Sequence, residues 1–100
     1  MAGEIRFEWD EAKNRENQAK HGVSFEEAKT VFVDENALLI DDPEHSDAAE
    51  ERFLLLGFGA GFRVLLVCHC YRHEAMVIRL ISARKANRDE QREYMKRLRR

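Results

Sequence analysis

Apolar and polar residues change their spacing several times along this chain, and each change predicts an element. Ile5-Arg6-Phe7-Glu8-Trp9 alternates, as a short strand does. Asp10 then suits an N-cap, and a helix is expected from Glu11 to about Lys20, closed at His21-Gly22. Ser24 and Glu27 have the spacing of a capping box, opening a second helix to about Phe32 with Phe25, Ala28, Val31 and Phe32 on one stripe. Ala37 to Ile40 reads as a short strand before an acidic loop, Asp41 to Asp47. Longer strands are predicted at Arg52 to Gly57, Arg63 to Tyr71 and Ala75 to Ala83, with turns at Gly57–Gly61 and Arg72–Glu74. Leu54-Leu55-Leu56 and Val64-Leu65-Leu66-Val67 are unbroken apolar runs, so part of the sheet must be covered on both faces. Asn87 and Glu90 form another capping box, and the last helix carries a thin stripe of Gln91, Tyr94, Met95 and Leu98. The order β-α-α-β-β-β-β-α is that of an α+β protein with a mostly antiparallel sheet.

Composition adds limits. At 100 residues with 44% hydrophobic content and one proline, the chain is expected to form one domain over residues 1–100. No apolar run approaches the ~20 residues of a membrane-spanning helix, and the charged start lacks a signal-peptide core, so a cytoplasmic protein is expected. The net charge of -2 conceals a division. Residues 1–51 hold fifteen acidic and five basic side chains; residues 52–100 hold four acidic and twelve basic ones. That asymmetry suits either a basic surface for a polyanion or an acidic half that pairs with a basic half inside one fold. Cys68 and Cys70 lie two apart in CHCYRH, on one face of a strand, with His69 on the other. This is neither disulfide geometry nor zinc-loop spacing, so no metal is expected. No glycine-rich nucleotide loop is present either, and no cofactor is expected.

The chemistry concentrates near IRLISARKA, residues 78–86. Arg79 interrupts an apolar strand and so needs a partner or open water. Arg84-Lys85 leave the strand where a helix begins, forming a positive pocket suited to phosphate. Strand parity groups Arg63, His69 and Tyr71 on one face, and pairing the purely apolar faces of the hairpin adds Arg79 to that group. Arg52, at the start of the preceding strand, can join it. Arginines and an imidazole together suit RNA phosphodiester cleavage, with His69 moving a proton and Arg63, Arg79 and Arg84 holding the charged phosphate. The competing account pairs Arg79 with a carboxylate such as Glu51 and makes His69 an ordinary half-buried residue. His45, in the acidic loop, is either a surface residue or a further member of the site.

Several of these pieces together resemble one family. FEWDEAKNRENQAKHGVSFEEAKTVF (Phe7 to Phe32), DPEHS followed by Glu50-Glu51-Arg52, then HCYR and IRLISARKA, are similar to the BrnT ribonuclease toxins of type II toxin–antitoxin systems. The resemblance implies a RelE-like fold and a metal-independent endoribonuclease that halts translation. It also implies a BrnA-like antitoxin that neutralises the toxin, with operator DNA bound only through the complex. Carried over by position, the family's polar site would draw on His45, Glu51, Arg52, Arg63, Arg72, Arg79 and Arg84, with Lys85 beside the last. CHCYRHEAM departs from the family pattern, where hydroxyl and charged residues are more usual. The alternative reading is a non-catalytic module on the same fold that grips the antitoxin and, as a complex, DNA.

Overall fold

The structure, a computed structural model, describes residues 4–74 and 76–99. Five strands form one sheet in the order β1-β5-β4-β3-β2. They are β1 (Arg6–Glu8), β2 (Leu38–Asp41), β3 (Arg52–Phe58), β4 (Val64–Arg72) and β5 (Val77–Lys85). Neighbours are antiparallel except β1, which lies parallel to β5. Residue 75, the expected start of the third long strand, lies outside the described residues.

Local signals explain the helices. The Asp10 carboxylate accepts the Ala12 and Lys13 N–H groups at the start of α1 (Glu11–His21), and Gly22 closes that helix at φ 69°. Ser24 accepts the Glu27 N–H to open α2 (Phe25–Ala28). The expected continuation to Phe32 instead tightens into a 3₁₀ segment, Lys29–Val33. Asn87 and Glu90 make the full reciprocal box at the head of α3 (Arg88–Leu98). No helix among the described residues is long and apolar enough to cross a membrane.

The N-terminal helices cover one side of the sheet, where Val23, Phe25, Ala28 and Val31 pack on Leu55, Val67, Ile78 and Leu80. On the other side α3 covers only part, placing Tyr94 against Leu56, Leu66 and Ala86. This is why LLL and VLLV are unbroken: alternate residues feed two different cores. Tyr94 donates to Asp34 at 2.6 Å and Arg97 donates to the Asn36 carbonyl at 2.7 Å, which anchors the thin-striped helix by polar contacts.

The two hairpins differ from expectation in where they turn and in how they pair. Gly57 is not in the turn but inside β3, opposite Leu65, because a side chain there would collide with Val31. The turn falls after Phe58, and its left-handed residue is Phe62 at φ 62° rather than a glycine. The β4–β5 ladder carries the larger difference. Tyr71 pairs with Ile78, Cys70 with Arg79 and His69 with Leu80, but Cys68 then pairs with Ser82, leaving Ile81 as an extra residue. Positions 79 and 84 are five apart and would face oppositely on a regular strand. The bulge brings both to the side that α3 leaves partly open.

Candidate active site

On that open side one row crosses the sheet. Glu8, Arg79, Cys70 and Arg52 lie on adjacent strands in register. The Asp42 N–H donates to the Arg52 carbonyl at 3.1 Å and extends the row past β2. Arg52 and Arg79 flank β4, so their Cα atoms stand roughly 10 Å apart by ordinary strand spacing. Arg79 donates through Nη1 to Glu8 at 3.0 Å, and Arg72 stands 3.6 Å from the same carboxylate. Arg52 donates through Nε to Glu50 at 2.9 Å, which raises the pKa of its guanidinium. A guanidinium has five N–H donors, so both arginines keep donors for another ligand. Arg84 is more committed: it forks onto Glu90 at 2.8 and 2.9 Å and also reaches the Lys85 carbonyl.

The acidic loop brings a histidine to the same side. Pro43–His45 forms a single 3₁₀ turn that returns His45 over Asp42. His45 Nδ1 lies 3.0 Å from each Asp42 carboxylate oxygen. Asp42 is 7% exposed while the His45 side chain is 63% exposed, so a buried carboxylate holds an accessible imidazole. Ser46 fixes the loop by accepting the Arg52 N–H at 2.7 Å and donating to the Asp42 carbonyl at 2.8 Å. Asp42, His45 and Arg52 line a groove of about 390 Å³ whose lining also includes Cys68, Ser82 and Arg84. Burial, helped by Asp42, pushes the Cys68 thiol up to about 11, so it stays protonated at neutral pH. A neighbouring groove of about 440 Å³ takes in Glu50, Glu51, Cys70 and Arg72.

The structure brings His45, Arg52, Arg79 and Arg84 to one side, with Glu51 and Arg72 adjoining. It does not bring Arg63 and His69 there. The expected parity fails because the β4–β5 turn pairs odd-numbered β4 residues with even-numbered β5 residues, so Arg79 shares its side with Cys70. The purely apolar faces need not meet when helices cover both sides of the sheet. His69 is 0% exposed, edge-on to Phe32 at 4.8 Å and near Phe53, and burial lowers its pKa. Its Nδ1 meets the Val67 carbonyl and its Nε2 the Tyr71 hydroxyl, each at 3.2 Å. Arg63 sits before β4 and grips Glu27 through two nitrogens at 2.8 and 2.7 Å, with Nη2 also on the Gly22 carbonyl. Lys85 pairs with Leu65 and belongs to the helix-covered side. Arg79 does have a carboxylate partner, but it is Glu8 rather than Glu51.

Sequence reasoning passed over Asp42. The cue was there: an aspartate, a proline that starts a turn well, and a histidine three residues on. Ser82 was hidden by the bulge, which no local signal marks.

Fold and groove together define a class first, a small α+β protein whose half-covered sheet bares arginines and a carboxylate-held histidine. The model of the family described as ribonuclease toxin, BrnT, of type II toxin–antitoxin systems matches residues 9–90. The chain belongs to that family, which implies an antitoxin partner and an RNA target. Among solved structures it is similar to the ribonuclease toxin BrnT of Brucella abortus, at 23% identity and a TM-score of 0.62. That match covers 84% of this chain and 99% of the Brucella chain, a likeness of fold. No curated protein matches.

Proposed function

We propose that this chain is a metal-independent endoribonuclease toxin that cuts RNA on the open side of its sheet and thereby stops translation in the cytoplasm. The observation that carries this reading is the exposed His45 imidazole, held by buried Asp42 in a groove with Arg52 and Arg84, on the side of the sheet to which register also brings Arg79. Asp42 accepts the Nδ1 proton, which leaves Nε2 as a base for the ribose 2′-hydroxyl. Arg52 and Arg79 direct their spare donors at the phosphate as negative charge builds, and Arg84 adds its field. Arg72 and Glu51 guide the strand through the adjoining groove. Arg63 and His69 have no part in the chemistry and serve packing. A BrnA-like antitoxin neutralises the protein, and operator DNA is met only through that complex.

Purified protein should degrade RNA in EDTA, and Arg79→Ala should lower the rate by about 10²–10³-fold with the fold retained. Intact RNA, or undiminished cleavage by the variant, would sink the assignment. A second reading draws on one feature: Arg52, Arg79 and Arg84 each already carry a carboxylate. On that reading the pairs are structural and the module only binds its antitoxin and, as a complex, DNA. Controlled expression with and without the antitoxin, scoring growth and RNA integrity, separates the two.

A further inference from the structure

Strand scission by the 2′-hydroxyl needs two proton transfers, one from the attacking oxygen and one to the departing oxygen, and His45 accounts for only the first. The groove contains a second imidazole. His21 ends α1, yet it lines the same cavity as Asp42, His45, Arg52, Ser82 and Arg84. Its placement has a visible cause. β1 reaches along β5 only to Arg79, so the outer edge of Ala83 has no strand beside it. Asn17 fills that gap: its Nδ2 donates to the Ala83 carbonyl at 2.8 Å, and its Oδ1 accepts the Ala83 N–H at 3.1 Å. The same Nδ2 donates to the Val23 carbonyl at 2.8 Å, which ties the chain beyond the helix end to the same point. One helical turn after Asn17, on the same helix face, comes His21. The amide clamp therefore holds the end of α1 at the β5 edge, where His21 shares the groove lining with Arg84. His45 approaches from the β2–β3 side, with β4 between them.

We propose that His21 is the general acid of the groove, acting opposite His45; this rests on the ribonuclease reading above. His45 Nε2 takes the 2′-hydroxyl proton as the O2′–P bond forms. The P–O5′ bond breaks, and the His21 imidazolium gives its proton to the leaving 5′-oxygen. The products are a 2′,3′-cyclic phosphate and a 5′-hydroxyl, and no other reactant is consumed. The remaining groove groups are unsuited to this donation: Asp42 is engaged by His45, Arg52 and Arg84 hold their protons, and the Cys68 thiol is buried. Glu44, the other carboxylate of the groove, belongs to the His45 turn and stands on the base's side.

The test compares ordinary RNA with RNA carrying a 5′-bridging phosphorothiolate, whose sulfur leaves without a proton. His21→Gln should slow cleavage of ordinary RNA by about 10²-fold or more while cleaving the sulfur substrate at close to the wild-type rate. His45→Gln should be slow on both. In the wild-type protein the alkaline limb of the pH–rate profile should vanish with the sulfur substrate, a readout that needs no variant to fold. Equal losses on both substrates for His21→Gln, or an alkaline limb that persists with sulfur, would overturn the role of His21. If instead Arg52→Ala and Arg84→Ala leave cleavage unchanged, the whole groove is misassigned and not merely its acid.

Discussion

The two sides of this sheet use the same two residue types for opposite ends. On the helix-covered side, His69 is sealed among aromatic rings and Arg63 is spent on Glu27 and a backbone carbonyl. On the open side, His45 is exposed with one nitrogen held by a buried carboxylate, and Arg52 meets Glu50 through Nε, its terminal nitrogens having no partner among the described residues. Neither histidine nor arginine signals chemistry by itself. What distinguishes the sides is whether donors and lone pairs remain for a ligand after the fold has taken its share.

That contrast can be broken by substitution. The largest effect is expected on the open side: Arg52→Ala should reduce RNA cleavage by about 10²–10³-fold, while urea unfolding shifts by under ~1 kcal/mol because the Glu50 pair is half exposed. A protein that unfolds but keeps its specific activity would reverse the assignment. On the covered side, His69→Ala should cost ~2–4 kcal/mol of stability by opening a cavity between Phe32 and Phe53. Its folded fraction should still cut RNA at the wild-type rate; a stable but inactive variant would return His69 to the site. Arg63→Ala should be milder, at about 1–2 kcal/mol. Cleavage by this variant should be unchanged in the same assay, since Arg63 faces away from the groove.

The smallest expected effect is in pH dependence. Burial holds the His69 pKa below its ordinary 6.5, so below that pH the unfolded chain binds a proton that the folded one refuses. Stability should therefore fall as pH drops below 6.5 and level off once the lowered folded value is passed. His69→Phe should remove this segment when denaturant midpoints are followed against pH. Any loss that persists should appear below the ordinary carboxylate value of 4.5, where Glu27 and Glu90 give up the proton-free forms that Arg63 and Arg84 stabilise.

Much of the fold was legible because its signals are local. Asp10, Ser24 and Asn87 cap the helices they were expected to cap, since a cap needs only a side chain and the next turn of backbone. The strands also appear close to where alternation and apolar runs put them. Register was not legible. Nothing within Val64–Arg72 or Val77–Lys85 states which residue of one meets which of the other, and the turn between them decides it. Arg79 was singled out correctly as a charge needing a partner, yet the partner is Glu8, on the far side of the sheet order from Glu51. The charge division along the chain has a partly internal meaning, because Glu8–Arg79 and Glu27–Arg63 join the acidic half to the basic half. At His45, which the sequence left open, the structure adds a three-residue turn and one buried aspartate that holds the imidazole.

Ile81 gives the groove a dependence on length that its side chains do not reveal. Arg79 takes its orientation from the turn before β5, and Ser82 and Arg84 take theirs from the stretch leading to α3, with one surplus residue reconciling the two phases. Removing that residue would leave every arginine present and every strand propensity nearly intact. An uninterrupted ladder would nevertheless force Arg79 and Arg84 onto opposite sides. The cationic face is thus encoded by a count as much as by an alphabet. A relative that retains both arginines but lacks the extra position would share the letters of this groove without sharing its geometry.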